Sequence, residues 1–128
     1  MHWLSLILIL PYLFLLLKIY RSLLKITIFN ISTDPRTFVS VIIACRNEQE
    51  SLPLLLESIA GQDYPTGLLE IIIVDDNSSD RTYEIASDFT GPGKIIAVYN
   101  KGIGKKQAIR TGINASSGSL IITTDADC

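Results

Sequence analysis

Leu120-Ile-Ile-Thr-Thr-Asp-Ala-Asp-Cys128 decides how the rest of the chain is read. An apolar, β-branched run passes into two carboxylates one residue apart, Asp125 and Asp127. A run of that composition predicts a buried strand. Acids at its carboxyl end sit where open α/β sheets bind ligands, and their hard oxygen atoms suit Mg²⁺ or Mn²⁺. Such an ion is useful beside a diphosphate, because it neutralises charge on a departing phosphate group.

Upstream, the same kind of run recurs with helical segments between. Phe38 to Cys45 reads as an apolar strand, followed by the polar stretch Arg46-Asn-Glu-Gln-Glu50 and a helix opening near Ser51. Leu52, Leu55, Leu56 and Ile59 fall at helical spacing, and Pro53 lies in the first turn, where it is tolerated. Gly61 ends that helix and Tyr64-Pro-Thr-Gly67 makes a turn. Leu69 to Val74 predicts a second strand, ending in Asp75-Asp-Asn-Ser-Ser-Asp80, where Ser78 or Ser79 could cap a helix running to about Phe89. A third strand (94–99), a third helix (105–115) and the final strand from Ser119 to Thr124 complete the alternation. Strand–helix–strand repetition with fully apolar strands predicts a Rossmann-like α/β fold, a parallel sheet with helices on both faces.

The first 25 residues differ in kind. Trp3 to Leu17 holds no charge, and Lys18, Arg21 and Lys25 follow. A helix from Trp3 to Tyr20 would be roughly 27 Å long at about 1.5 Å per residue. That nearly matches a hydrocarbon core of about 30 Å, with Lys18 reaching the interface. A secretory signal would carry its basic residues first and a small-residue cleavage site after, and neither is present. Residues 1–25 are therefore expected to be a transmembrane anchor, 26–37 a linker, and everything downstream of the basic cluster to face the cytoplasm. The formal net charge of −2 gives no electrostatic footprint for nucleic acid. Two cysteines make no disulfide framework, and both are expected to be reduced thiols.

A parallel sheet puts all strand carboxyl ends on one edge. It would gather Ala44 to Glu48, Asp75-Asp76 and Asp125 to Asp127 into one crevice. Carboxylates crowded at one rim repel one another unless a cation or hydrogen-bonding ligand joins them. A fixed carboxylate at Asp75 would accept the ring N–H of uracil, Glu48 a ribose hydroxyl, and Arg46 would offset phosphate charge. Asp76 and Asp80 serve equally well as turn and cap residues. In Asn100-Lys-Gly-Ile-Gly-Lys-Lys106, two glycines turn into a helix whose N-terminus favours anions, with Lys105 and Lys106 beside it. It is neither a Walker loop nor a dinucleotide fingerprint.

With these segments placed, the chain resembles the amino-terminal half of family 2 glycosyltransferases, which share the GT-A fold. The matching pieces are VSVIIACRNEQESLPLLLESI at 39–59, EIIIVDDNSSDRTYEIA at 70–86, NKGIGKKQAIRTGI at 100–113 and LIITTDADC at 120–128. The resemblance implies that residues 38–128 form a nucleotide-sugar-binding domain, incomplete at its carboxyl end. The donor would be a nucleotide-diphospho sugar, often UDP-linked, and the acceptor a glycan or lipid-linked molecule at a membrane. Ala44, Arg46 and Glu48 would line the nucleoside site, Asp75 would contact the base with Asp76 beside it, and Lys105 would lie near the diphosphate. Asp125 and Asp127 would be the Asp-x-Asp element holding Mg²⁺ or Mn²⁺ and the donor. Such enzymes invert the anomeric centre by direct displacement. Their catalytic base follows the Asp-x-Asp element at a distance, so it is expected beyond Cys128, and these residues alone are expected to be inactive. The competing expectation is a non-catalytic, membrane-tethered nucleotide-binding or interaction module.

Overall fold

The computed structural model describes residues 3–26 and 36–127, with backbone alone for 3–8. Most of the expected linker at 26–37, and Cys128, lie outside the described residues. The chain divides into two compact units, Met1–Thr33 and Asp34–Cys128.

The first unit holds helix α1, Trp3–Leu23, with Pro11 inside it. Its apolar side chains face outward: Leu10, Tyr12, Phe14 and Tyr20 are all exposed. Lys18 Nζ lies 5.6 Å from the centre of the Phe14 ring, one turn back along the helix. No helix among the described residues is long and apolar enough to cross a membrane.

The second unit alternates as the sequence predicts. Its elements are β1 (Val39–Cys45), α2 (Ser51–Ala60), β2 (Leu69–Asp75), α3 (Thr82–Asp88), β3 (Lys94–Tyr99), α4 (Lys105–Ala115) and β4 (Leu120–Asp125). The four strands form one sheet in the order β3-β2-β1-β4, and every pair is parallel. Period-two alternation sends Val39, Ile43, Cys45, Leu69, Ile71 and Ile73 to one face, where they meet Leu52 and Leu56 of α2 and Ala86 of α3. Ile42, Ile72 and Val74 go to the other face, under Ala108 of α4. Each fully buried Ile or Leu contributes about 1.5–3 kcal/mol, so these two layers hold the unit together.

α4 comes close to the sheet because Gly112 has no side chain. A Cβ there would strike Ile42 Cγ2 and lie 3.2 Å from Val74 Cγ2. The distance between α4 and β1 sets where Lys105, the first residue of α4, enters the cleft. On the outer edge, α3 is held to β3 by Tyr83 and Tyr99, whose rings stack at 3.7 Å and 17°.

Two expectations are corrected. β4 reads as a buried strand, but it is an edge strand, and Leu120, Ile121 and Ile122 are exposed. Among the described residues its only sheet neighbour is β1, and beside it lies an apolar groove of about 540 Å³ that includes Val41, Leu55, Ile59, Leu120 and Ile122. α3 starts at Thr82, not after Ser78 or Ser79. Ser78 Oγ instead accepts the Asn47 N–H at 2.9 Å, and the Ser79 N–H donates to Asn47 Oδ1 at 2.8 Å. Asp80 takes over at the helix start and accepts the Thr82 N–H at 3.0 Å. The Thr82 hydroxyl is the leading reason that the Asp80 carboxyl sits below its ordinary range.

At the amino-terminal edge of the sheet, Glu70 is fully buried. Its Oε1 accepts from the Ser40 hydroxyl at 2.5 Å, the Ser117 N–H at 2.5 Å and the Gly118 N–H at 3.2 Å. Its Oε2 accepts the Ser117 hydroxyl at 2.8 Å, and Lys94 Nζ lies 3.7 Å away. Burial works against ionisation, but the bonds from Ser117, Ser40 and Gly118 outweigh it and hold the carboxyl at about 2. This cluster ties the α4–β4 connection to β1 and β2. A depressed carboxyl stabilises the fold above its unfolded value, and that stabilisation is lost as pH falls from about 4.5 to about 2. The shift corresponds to about 3 kcal/mol. Urea titrations of the wild-type chain are expected to show stability falling through that window. Glu70→Gln is expected to be about 2–3 kcal/mol less stable at pH 7 and flatter below pH 4.5.

Candidate functional site

In the order β3-β2-β1-β4 the chain runs outward from β1 to β2 and β3, then returns to the other side of β1 for β4. The reversal falls between β1 and β4, and open α/β sheets bind ligands outside the strand carboxyl ends at such a point. A cleft of about 340 Å³ opens there. Ala44, Arg46 and Glu48 contribute from the end of β1, and Asp76 from the end of β2. Lys105 contributes from the start of α4, and Asp125 and Asp127 from the end of β4. Ala44 and Asp125 are register partners across β1 and β4, so strand pairing itself fixes the spacing of these walls.

Asp75 is the exception. It lies on the face shared by Ile71 and Ile73, is 2 % exposed, and does not line the cleft. Its Oδ2 accepts the Ser78 N–H at 3.2 Å, while the buried Oδ1 has no hydrogen-bond partner among the described residues. The Cys45 thiol is pushed up to about 12, first by burial and then by Asp75, Glu48, Asp80 and Asp76. Cys45 is therefore protonated at neutral pH and is no nucleophile.

Asp76, one residue on, faces the other way and organises the cleft. Its Oδ1 accepts from Asn100 Nδ2 at 2.7 Å, from the Gly104 N–H at 3.0 Å and from Asn77 Nδ2 at 3.4 Å. Asn100 is buried and links onward, its Oδ1 accepting the Gly102 N–H at 3.1 Å and the Thr111 hydroxyl at 3.2 Å. The start of α4 is thus fixed to the end of β2. Gly104 takes φ of +91°, a left-handed conformation that only glycine adopts readily, and its carbonyl begins the helix. Asn100, Asn47 and Asn77 are structural members of the site that the sequence did not single out. Their signal was an asparagine just past a strand, in a position suited to tight or left-handed turns; Asn47 and Asn77 have φ of 57° and 58°.

A second network locks the β1–α2 loop to the β2–α3 loop. Besides the two bonds of Asn47 to Ser78 and Ser79, the Glu48 N–H donates to Thr82 Oγ1 at 2.8 Å and the Gln49 N–H to Asp80 Oδ2 at 3.2 Å. Glu48 itself accepts a bond from the Ser51 hydroxyl. Arg46 and Glu48 are thereby held on a rigid loop at the cleft mouth.

The acid pair is partly neutralised from within: Lys105 Nζ lies 2.5 Å from Asp125 Oδ2. Among the described residues, no three Asp, Glu, His or Cys side chains converge as a metal cage. Two carboxylates still fit Mg²⁺, which is bound through one or two protein carboxylates with water and substrate phosphate completing the shell. Asp125 and Asp127 would hold such an ion against a diphosphate.

Residues 40–128 match the family described as "Glycosyl transferase family 2". The chain is 44% identical over 98 residues to the undecaprenyl-phosphate 4-deoxy-4-formamido-L-arabinose transferase of Serratia proteamaculans (strain 568), covering 73% of this chain and 30% of that relative. The transferase of the same name from Yersinia enterocolitica is 47% identical over 93 residues, covering 70% and 28%. The chain thus spans under a third of the length of the relatives it matches. Among solved structures, the mannosyltransferase PcManGT of Pyrobaculum calidifontis in complex with GDP-Man and Mn²⁺ aligns with a TM-score of 0.65 and 29% identity, over 88% of this chain and 34% of that one. S. aureus TarS (residues 1–349) in complex with UDP-GlcNAc aligns with a TM-score of 0.63 and 25% identity, over 70% and 26%.

The asparagine–aspartate turn makes a specific demand. Asp76→Ala leaves the Asn100 amide and the Gly104 N–H without their acceptor and is expected to cost about 2–3 kcal/mol in urea denaturation. Hydrogen exchange at the Gly104 amide should accelerate in step. Asp76→Asn, which can keep an acceptor oxygen in place, should lose less than half as much.

Proposed function

The chain belongs to glycosyl transferase family 2, and from that premise we propose that its cleft is the donor site of an inverting glycosyltransferase acting on a nucleotide-diphospho sugar. The observation that carries the reading is the convergence of Arg46, Glu48, Asp76, Lys105, Asp125 and Asp127 on one cleft at the strand-order reversal.

Each wall has a part suited to the donor. Glu48 and Asp76 offer acceptors to the hydroxyl and N–H groups of a nucleoside, and the networks behind them hold those acceptors in fixed directions. Asp76, which faces the cleft, suits base recognition better than the buried Asp75. Arg46, Lys105 and the N-terminus of α4 supply positive potential for the diphosphate. Asp125 and Asp127 would bind Mg²⁺ or Mn²⁺, which when present stabilises the leaving diphosphate. We take the donor as UDP-linked; the TarS complex supports that choice, since that protein was solved with UDP-GlcNAc. A lipid-linked acceptor is favoured by the relatives, which are named for transfer to undecaprenyl phosphate. The proposal extends to membrane attachment through α1, with the second unit on the cytoplasmic side. The exposed apolar surface of α1 and the cations that follow it support this part.

The full chain should bind UDP more tightly with Mn²⁺ than with EDTA in calorimetry. Asp125→Ala/Asp127→Ala should lose at least about tenfold of the Mn²⁺-dependent affinity. Unchanged affinity in that variant would refute the acid pair as metal ligands. Membrane attachment is tested separately: the full chain should sediment with membranes through an alkaline carbonate wash, and a chain lacking residues 3–23 should not. Recovery of both in the soluble fraction would remove α1 from the proposal.

A further inference from the structure

We propose that Lys105 is an internal counter-ion for Asp125 and passes to the donor's diphosphate when a divalent cation arrives. The cleft then takes cation and diphosphate together in preference to either alone. This rests on the donor-site reading above and adds a mechanism for how the site fills.

The geometry supplies the first half. Asp125 Oδ2 already holds the Lys105 ammonium at 2.5 Å, so a metal ion approaching that carboxylate meets a positive charge on the same oxygen. The two cations compete for one ligand. The pairing also has a reason: Glu48, Asp76, Asp125 and Asp127 share the walls of one cleft, and an ammonium among them reduces their mutual repulsion.

The second half concerns release. Both partners are substantially exposed, with side-chain accessibility of 62 % for Lys105 and 40 % for Asp125. An exposed pair of this kind is weak, so breaking it costs little. Lys105 is the first residue of α4 and follows Gly104. Its long four-carbon stem, largely exposed, lets the ammonium reorient about the start of α4. Its alternative partner lies close by, because a diphosphate drawn to the helix N-terminus would sit within the same cleft. The metal then replaces the ammonium on Asp125, the ammonium moves to phosphate, and each binding event favours the other.

This arrangement predicts changes of opposite sign from one substitution. In the full chain, Lys105→Met frees Asp125, so Mn²⁺ alone should bind about fivefold tighter by the electron-spin resonance of free Mn²⁺, as expected for removing one charge near 4 Å in a water-like medium. The same variant should bind UDP in saturating Mn²⁺ about fivefold more weakly, since the lysine that would have moved to the diphosphate is gone. Lys105→Arg, which keeps the charge, should stay near wild type in both measurements. Lys105→Gln repeats the test should the methionine disturb folding. If both affinities fall together, or neither changes, the exchange is wrong and Lys105 has only a structural or general electrostatic role. If the wild-type chain binds neither Mn²⁺ nor UDP even when both are present, the donor-site reading fails and the exchange falls with it.

Discussion

Parallel pairing on both sides of β1 is the constraint from which the rest follows. Val39 through Cys45 pairs with Leu69 through Asp75 on one side, and Val39 through Ala44 with Leu120 through Asp125 on the other. Because all three run the same way, Cys45, Asp75 and Asp125 reach the same edge although up to eighty residues separate them in the chain. The cleft is a product of that register. A slip of one residue would invert every side chain of the moved strand and carry Asp125 away from Lys105.

The two edges of the sheet treat buried charge in opposite ways. At the amino-terminal edge, four hydrogen bonds and a nearby lysine saturate Glu70. At the carboxyl edge, Asp125 is partly exposed and shares one oxygen with an exposed lysine. Saturation makes a strut, because nothing further can bind without breaking what is there. Incomplete pairing in an open cleft leaves ligand capacity. By this criterion Glu70 belongs to stability, whereas Asp125 keeps capacity for a ligand.

Much of the fold was legible because each strand is an apolar run bounded by turn residues and each helix shows its own period. β3 and α4 appear with the limits that their residues suggest. What could not be read is long-range. Ser78 and Ser79 are good caps in isolation, yet Asn47, some thirty residues earlier, engages both. The exposure of β4 depends on which elements cover it, and composition reports only what a strand is suited to meet. Asp75 and Asp76 show the same boundary. Alternation says that they face opposite ways, but only the position of α4 and of the Asn100 turn tells which of them meets the cleft.

The placement of Asp76 also bears on how the cleft would be preorganised. Asp76 accepts the N–H of Gly104, so a residue that lines the cleft also fixes the point from which Lys105 projects. Recognition at one end of a ligand and charge at the other are thus joined through a single carboxylate and one glycine. A ligand that spans both ends meets a scaffold already aligned for it, whereas one that reaches only one end uses half of that alignment. For a nucleoside diphosphate this favours the intact molecule over nucleoside or phosphate alone, since the cost of ordering the loop is met by the fold before binding.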